Sequence, residues 1–200
     1  MRQEFIMTEV DIYDFDKTLV PFDCGTRFVF WCALRYPWCA LLIPAIGIAF
    51  FLASVGLISY TQFKRVCFAF LPLIPRKKAI RRFWDKYAHE AYPWATDRRR
   101  YSVIVSASPD FLLEDISARL GFDALICTRH NPKTGIIIGE NCNGEEKVRR
   151  FYEEFDRNTT RVADVYSDSL RDDMPIFQLA QDNCYHITNG QAVRFMPDNP

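Results

Sequence analysis

The chain has no charged residue between Tyr36 and Phe63, no C-x-x-C pair among its seven cysteines, and no histidines at ligand spacing. The missing Cys and His spacings argue against a structural zinc site. Most of the cysteines have apolar neighbours, as reduced and buried thiols of a cytosolic protein do. The opening residues Met1–Phe5 lack the long apolar core of a signal peptide. Internal repeats and low-complexity tracts are missing too. Twenty-five Lys and Arg balance twenty-five Asp and Glu, so bulk charge excludes a general polyanion binder. Two hundred residues suit one domain, or one core with a modest insertion.

The charge-free run asks for an explanation of its own. Leu41 to Ile58 is apolar on every face, a candidate for a membrane helix of about 20 residues. A single crossing would separate Asp14 from the acids that follow. The run is therefore expected either to dip in and return or to lie in the interface. Pro44 and Gly47 are expected to break it into arms of about Phe28–Ile43 and Ala45–Ile58. Each arm would be roughly 22 Å long against a bilayer core of about 30 Å. A buried core helix is the alternative, although so small a protein has little interior to hide one. Between Lys64 and Arg100, eleven Lys/Arg face three Asp/Glu. Within that stretch Pro75–Tyr87 reads as a basic amphipathic helix, with Ile80, Phe83, Trp84, Tyr87 and Ala91 on one face. An anionic membrane surface suits it. Nucleic acid does not, because no nucleic-acid-binding signature accompanies the cations.

Elsewhere short apolar strands end in chemistry. Val10, Ile12 and Tyr13 form a strand that runs into Asp14-Phe15-Asp16-Lys17-Thr18. Two carboxylates so close need a cation or a proton between them, and hard oxygen ligands suit Mg2+. Val103–Val105 is a β-branched run ending at Ser106-Ala107-Ser108-Pro109, ahead of a helix over Phe111–Leu120. Ser106 is placed there to meet a phosphate oxygen. Ala124–Cys127 is another strand, and Asn131–Gly135 a turn before Ile136–Ile138. Lys147 lies in the first turns of a helix running to about Phe155. Arg161–Tyr166 is a strand ending in Ser167-Asp168-Ser169-Leu170-Arg171-Asp172-Asp173, ahead of a helix over Met174–Ala180. Strand C-terminal ends are where open α/β sheets bind ligands. The last strand, Cys184–Ile187, turns at Asn189-Gly190 into Ala192–Phe195.

The order Asp14/Asp16/Thr18, Ser106, Lys147, Asp168/Asp172 resembles the four motifs of the haloacid dehalogenase superfamily. The insertion between the first two motifs resembles its phosphoserine-phosphatase-like branch. The apolar cap with Tyr166–Ser169 and Gly144–Lys147 looks like the phosphatidylglycerophosphatase C group. The resemblance implies an α/β, Rossmann-like parallel sheet flanked by helices, over residues 1–22 and 95–200. A helical cap over 23–94 would touch the membrane. It implies a Mg2+-dependent phosphatase with Asp14 as nucleophile and Asp16 as acid and then base. Thr18, Ser106 and Ala107 would sit at the phosphate, and Lys147 would pair with nucleophile and phosphate. Asp14, Asp16 (through its backbone carbonyl), Asp168 and Asp172 would hold the metal. The implied substrate is a phosphorylated lipid, handled at the cytoplasmic face of a bacterial inner membrane. The chain departs from phosphoserine phosphatases in carrying Asn143 ahead of Gly144 and Ala107 in place of Gly. A soluble small-molecule phosphatase and a non-catalytic membrane-binding module are the competing readings.

Overall fold

The computed structural model describes residues 7–131, 134 and 136–197. Pro132, Lys133 and Gly135 of the expected turn and the opening Met1–Phe5 lie outside them. Six strands form one sheet in the order β3-β2-β1-β4-β5-β6. They are β1 (Thr8–Tyr13), β2 (Tyr101–Pro109), β3 (Ala124–Thr128), β4 (Thr160–Ser167), β5 (Asn183–Thr188) and β6 (Gln191–Phe195). The first five in that order are parallel, and β6 alone is antiparallel. It returns through Asn189 and Gly190, whose φ of 51° and 77° suit a tight hairpin turn. The expected α/β sheet with flanking helices is what folds.

Strand β1 sits at the centre because it is apolar on both faces. Val10 and Ile12 join a cluster with Val103, Val105, Phe151 and Phe177. Tyr13 joins a second cluster across the sheet with Phe28, Phe83, Trp84 and Leu112. The chain leaves β1 toward β2 and β3, and later returns to its other side with β4 and β5. That reversal opens a crevice at the strands' C-terminal ends, between β1 and β4.

Everything from Asp23 to Thr96 is helical or turn. It comprises α1 (Cys24–Arg35), a 3-10 stretch (Pro37–Leu42), α2 (Ile43–Ser54), α3 (Tyr60–Cys67) and α4 (Arg76–Tyr87), then short 3-10 turns. Asp23 caps α1 by accepting from the Thr26 N–H at 2.6 Å. The two-arm expectation is corrected here. Helix α1 is a packed element, with Cys24, Phe28 and Cys32 buried. The break falls at Tyr36, whose φ of −126° and ψ of 88° end α1 ahead of Pro37. Pro44 breaks nothing, because it occupies the first turn of α2, where its missing N–H costs no bond.

Helix α4 also departs from expectation. Ala79, Ile80, Phe83 and Trp84 face inward and are buried. The Trp84 indole N–H donates to the Leu112 carbonyl at 2.7 Å. Its apolar stripe is spent on the protein's own core, and its charged residues face outward. Helix α2 differs, with Ala49 its one buried residue. The 18-residue run Pro37–Ser54 is, among the described residues, the one helix long and apolar enough to cross a membrane, and only 11% of it is buried.

The remaining helices are α5 (Asp110–Leu120), α6 (Glu145–Glu154) and α7 (Met174–Phe177). Helix α7 stops short of the expected Ala180. From there Leu179 and Ala180 bond back three residues, to Ile176 and Phe177, in tighter turns.

Candidate active site

The first acids stand where β1 ends. The Asp14 N–H donates to the Tyr166 carbonyl at 2.8 Å, pinning the β1 tip to β4. Lys17 then takes the left-handed conformation at φ 55°, a costly choice for a side-chain-bearing residue and typical of functional turns. The Asp16 carboxylate accepts from the Cys24 N–H at 2.7 Å and from the Ser108 hydroxyl. It therefore sits at the positive N-terminus of α1.

Lys147 reaches this group from the first turns of α6. Gly144, at φ 56°, turns the chain into that helix. The Lys147 ammonium is 2% exposed and lies 2.8 Å from Asp14 and 2.7 Å from Asp173. Burial alone would favour a neutral amine, but the two carboxylates overturn that and hold Lys147 charged. Burial pushes the Asp14 carboxyl up to about 7; Asp173 and Asp16 add to the rise and Lys147 opposes it. Burial likewise raises Asp16, helped by Asp23, and raises Asp168 against the pull of Lys17.

Three of the expected assignments are sharpened once the side chains are placed. Asp172 is exposed, and the acid that enters the site is its neighbour Asp173, 2% exposed and bonded to the Ser167 hydroxyl. The Asp173 N–H closes onto the Ser169 carbonyl at 3.2 Å; this turn swings residue 173 inward and leaves 172 outside. Thr18 acts here as a brace. Fully buried, its hydroxyl accepts from the Asp168 N–H at 2.9 Å and leans on Asp14 at 3.4 Å. Ser106 is buried and accepts from the Ser108 N–H at 3.2 Å, so the hydroxyl touching an acid is that of Ser108. Ala107 does line the cavity described below. Asp168 stands on the β4 loop, its carbonyl bonded to His186 at 2.9 Å.

Sequence reasoning passed over Asp173, Ser167, His186 and Ser108. For Asp173 the acidic pair itself is a signal, and Ser167 shows through the turn that brings Asp173 back to it; Ser108 and His186 show only through contacts between separate segments.

Around Lys147, then, stand Asp14 and Asp173, with Asp16 and Asp168 on the adjoining loops. Among the described residues no cation is ion-paired to either of the latter two, and no three Asp, Glu, His or Cys side chains gather closely enough to hold a metal unaided. Two carboxylates, a main-chain carbonyl and water nevertheless form a hard-oxygen set, and Mg2+ normally keeps several waters. The acids in excess of the one amine fit such an ion.

A cavity of about 580 Å3 opens beside the acids. Its polar floor includes Ser108, Ala107, Asn141 and Lys64, and its walls are Phe30, Ile43, Ile46, Phe50, Phe63 and Phe68. Asp23 and Asp172 lie at its border. Helices α1, α2 and α3 thus roof the strand tips with apolar side chains.

A profile of the family described as haloacid dehalogenase-like hydrolase matches residues 12–178. Protein CicA of Caulobacter vibrioides, in strains NA1000 / CB15N and ATCC 19089 / CIP 103742 / CB 15, is 33% identical over 94 residues. That match takes in 44% of this chain and 41% of CicA, so the chain spans less than half the length of the curated relatives it matches. A crystal structure of a Bordetella pertussis Tohama I protein of unknown function superposes with a TM-score of 0.71 at 19% identity, covering 85% of this chain and 86% of that one. A probable phosphoserine phosphatase from Vibrio cholerae gives 0.63 at 15% identity, covering 96% and 64%. A phosphoserine phosphohydrolase-like protein from Francisella tularensis subsp. tularensis SCHU S4 gives 0.56 at 15% identity, covering 90% and 87%. At such identities the likeness is one of fold.

Proposed function

We propose a function from one premise: the chain belongs to the haloacid dehalogenase-like hydrolase family. On this reading it hydrolyses phosphomonoesters in two displacements. An Asp14 oxygen attacks phosphorus, the ester P–O bond breaks, and Asp16 gives its proton to the departing alkoxide. Asp16 then takes a proton from water, which attacks the aspartyl-phosphate and releases inorganic phosphate and the Asp14 carboxylate. Lys147, held between Asp14 and Asp173, offsets the repulsion between carboxylate and phosphate. Mg2+ held by the Asp14 and Asp168 carboxylates and the Asp16 carbonyl would supply further charge neutralisation.

The substrate on this reading is a phosphorylated lipid such as phosphatidylglycerol phosphate, met at the cytoplasmic face of a bacterial inner membrane. One observation carries that choice. The cavity that meets the acids through Ser108, the hydrogen-bond partner of Asp16, is walled by apolar side chains, three of them (Ile43, Ile46 and Phe50) from the outward-facing helix α2. Alkyl chains suit such walls, and helix α2 lying in the interface would bring them there.

A second reading, phosphoserine hydrolysis, draws on fold neighbours described as phosphoserine phosphatases. Phosphate release from dispersed phosphatidylglycerol phosphate and from phosphoserine, with Mg2+, separates the two. The lipid is expected to be the better substrate by about 100-fold or more in kcat/KM, a difference worth about 2.7 kcal/mol. Asp14→Asn should abolish release. Preference for phosphoserine would overturn the lipid assignment.

A further inference from the structure

The cavity's described lining contains a single cation, Lys64. Helix α3 presents it from a firm start, since Ser59 and Gln62 close a reciprocal capping box at the helix N-terminus. The Lys64 ammonium donates to the Ala107 carbonyl at 2.7 Å and to the Asn141 side-chain oxygen at 2.8 Å. The Thr128 hydroxyl lies 2.7 and 3.1 Å from the same two oxygens and shares its one proton with them, which helps to fix them in place. An ammonium has three donors and no acceptor. Two donors are used here, and the ammonium also lies 5.3 Å from the centroid of the Tyr60 ring, a weaker contact within the same cavity lining that an anion could replace or share.

The nearby cations are occupied or elsewhere. Arg27 is ion-paired to Glu90 at 2.6 Å and lies over the Phe22 and Tyr87 rings. Arg65 is exposed and borders a different depression. Burial lowers the Lys64 pKa, against the pull of Asp16 and Asp23. Of the two carboxylates bordering the cavity, that of Asp23 is engaged in capping α1, and Asp172 is exposed.

The Ser108 hydroxyl that bonds Asp16, the Lys64 ammonium bonded to the carbonyl of the preceding residue, Ala107, and the apolar walls all line one cavity. We propose that Lys64 is a specificity-determining residue: its ammonium binds a second anionic group, a phosphodiester lying between the scissile phosphomonoester and the alkyl chains of the substrate. This rests on the lipid-phosphatase reading above, and it narrows the substrate class to lipids carrying both kinds of phosphate.

The test compares three substrates in detergent: dioctanoyl phosphatidylglycerol phosphate, dioctanoyl phosphatidic acid and p-nitrophenyl phosphate. The enzymes are wild type, Lys64→Met and Lys64→Arg, each with its unfolding midpoint measured. Lys64→Met is expected to raise KM for the diester-bearing lipid by about 10- to 100-fold with little change in kcat, the scale of one charge-assisted contact. Its losses on the other two substrates should be smaller by tenfold or more. Lys64→Arg should recover most of the lipid's KM. Equal losses on all three substrates would make Lys64 a mere support for Ala107 and overturn the assignment. Wild-type indifference between the two lipids would do the same. Absence of wild-type activity on every substrate, or activity surviving Asp14→Asn, would instead bring down the phosphatase reading itself.

Discussion

Helix α4 carries six cations in its twelve residues and buries Ala79, Ile80, Phe83 and Trp84. Helix α2 has the same length and no charge, and buries only Ala49. Amphipathicity decides the difference. A one-sided stripe can be matched by the protein's own core, whereas a helix apolar all round leaves half its surface outward whichever way it turns. The two stretches look alike in sequence as candidates for membrane contact. Folded, one offers a membrane only charge and the other only hydrocarbon.

The comparison can be broken most forcefully at Trp84. Trp84→Ala removes a fully buried ring and its bond to Leu112, and should cost about 3–5 kcal/mol in urea unfolding. A value near zero would mean that α4 is not anchored as described. On the other helix, Ile48→Asp with Phe51→Asp should shift folding stability by only about 0.5 kcal/mol, since both side chains are exposed. The same pair should lower partition onto vesicles by about 100-fold or more in a flotation assay, given about 1.5–3 kcal/mol for each large apolar side chain buried. Unchanged flotation would leave α2 without a lipid role. Next in size, Lys77→Gln with Lys78→Gln on the exposed face of α4 should weaken binding to anionic vesicles by about 2 kcal/mol, at about 1 kcal/mol per charge. Binding to zwitterionic vesicles should not change. The smallest effect is at Gly47, where an added Cβ would meet nothing within 4 Å. Gly47→Ala should raise stability by about 0.8 kcal/mol, seen as a small rise in Tm.

The sheet and the acid tips were legible in the sequence because both are local signals. Alternation marks Val10 to Tyr13 as a strand, and the acids follow directly. Lys147 was legible too, since helix periodicity places it one turn past Gly144, and its ammonium meets Asp14. What stayed hidden depends on turns or on distant partners. Choosing between Asp172 and Asp173 needed the 169–173 turn, in which each N–H finds a different oxygen of Ser169. The Lys64–Ala107 contact joins positions 43 residues apart, and no spacing rule reaches that far. The end of α1 is hidden behind Pro44 and Gly47, which look like breakers in sequence, whereas Tyr36 and Pro37 end the helix and Pro44 starts the next.

Thr18 ties loops 150 residues apart with a single hydroxyl, and this bears on how the chain is made. During synthesis the Asp168 amide that completes the brace emerges 150 residues after Thr18. Until then the nucleophile has neither its tether to Asp168 nor the neighbouring Asp173. A truncated polypeptide ending before β4 should therefore be chemically inert, and competence would arrive in one step once β4 and the loop after it are in place.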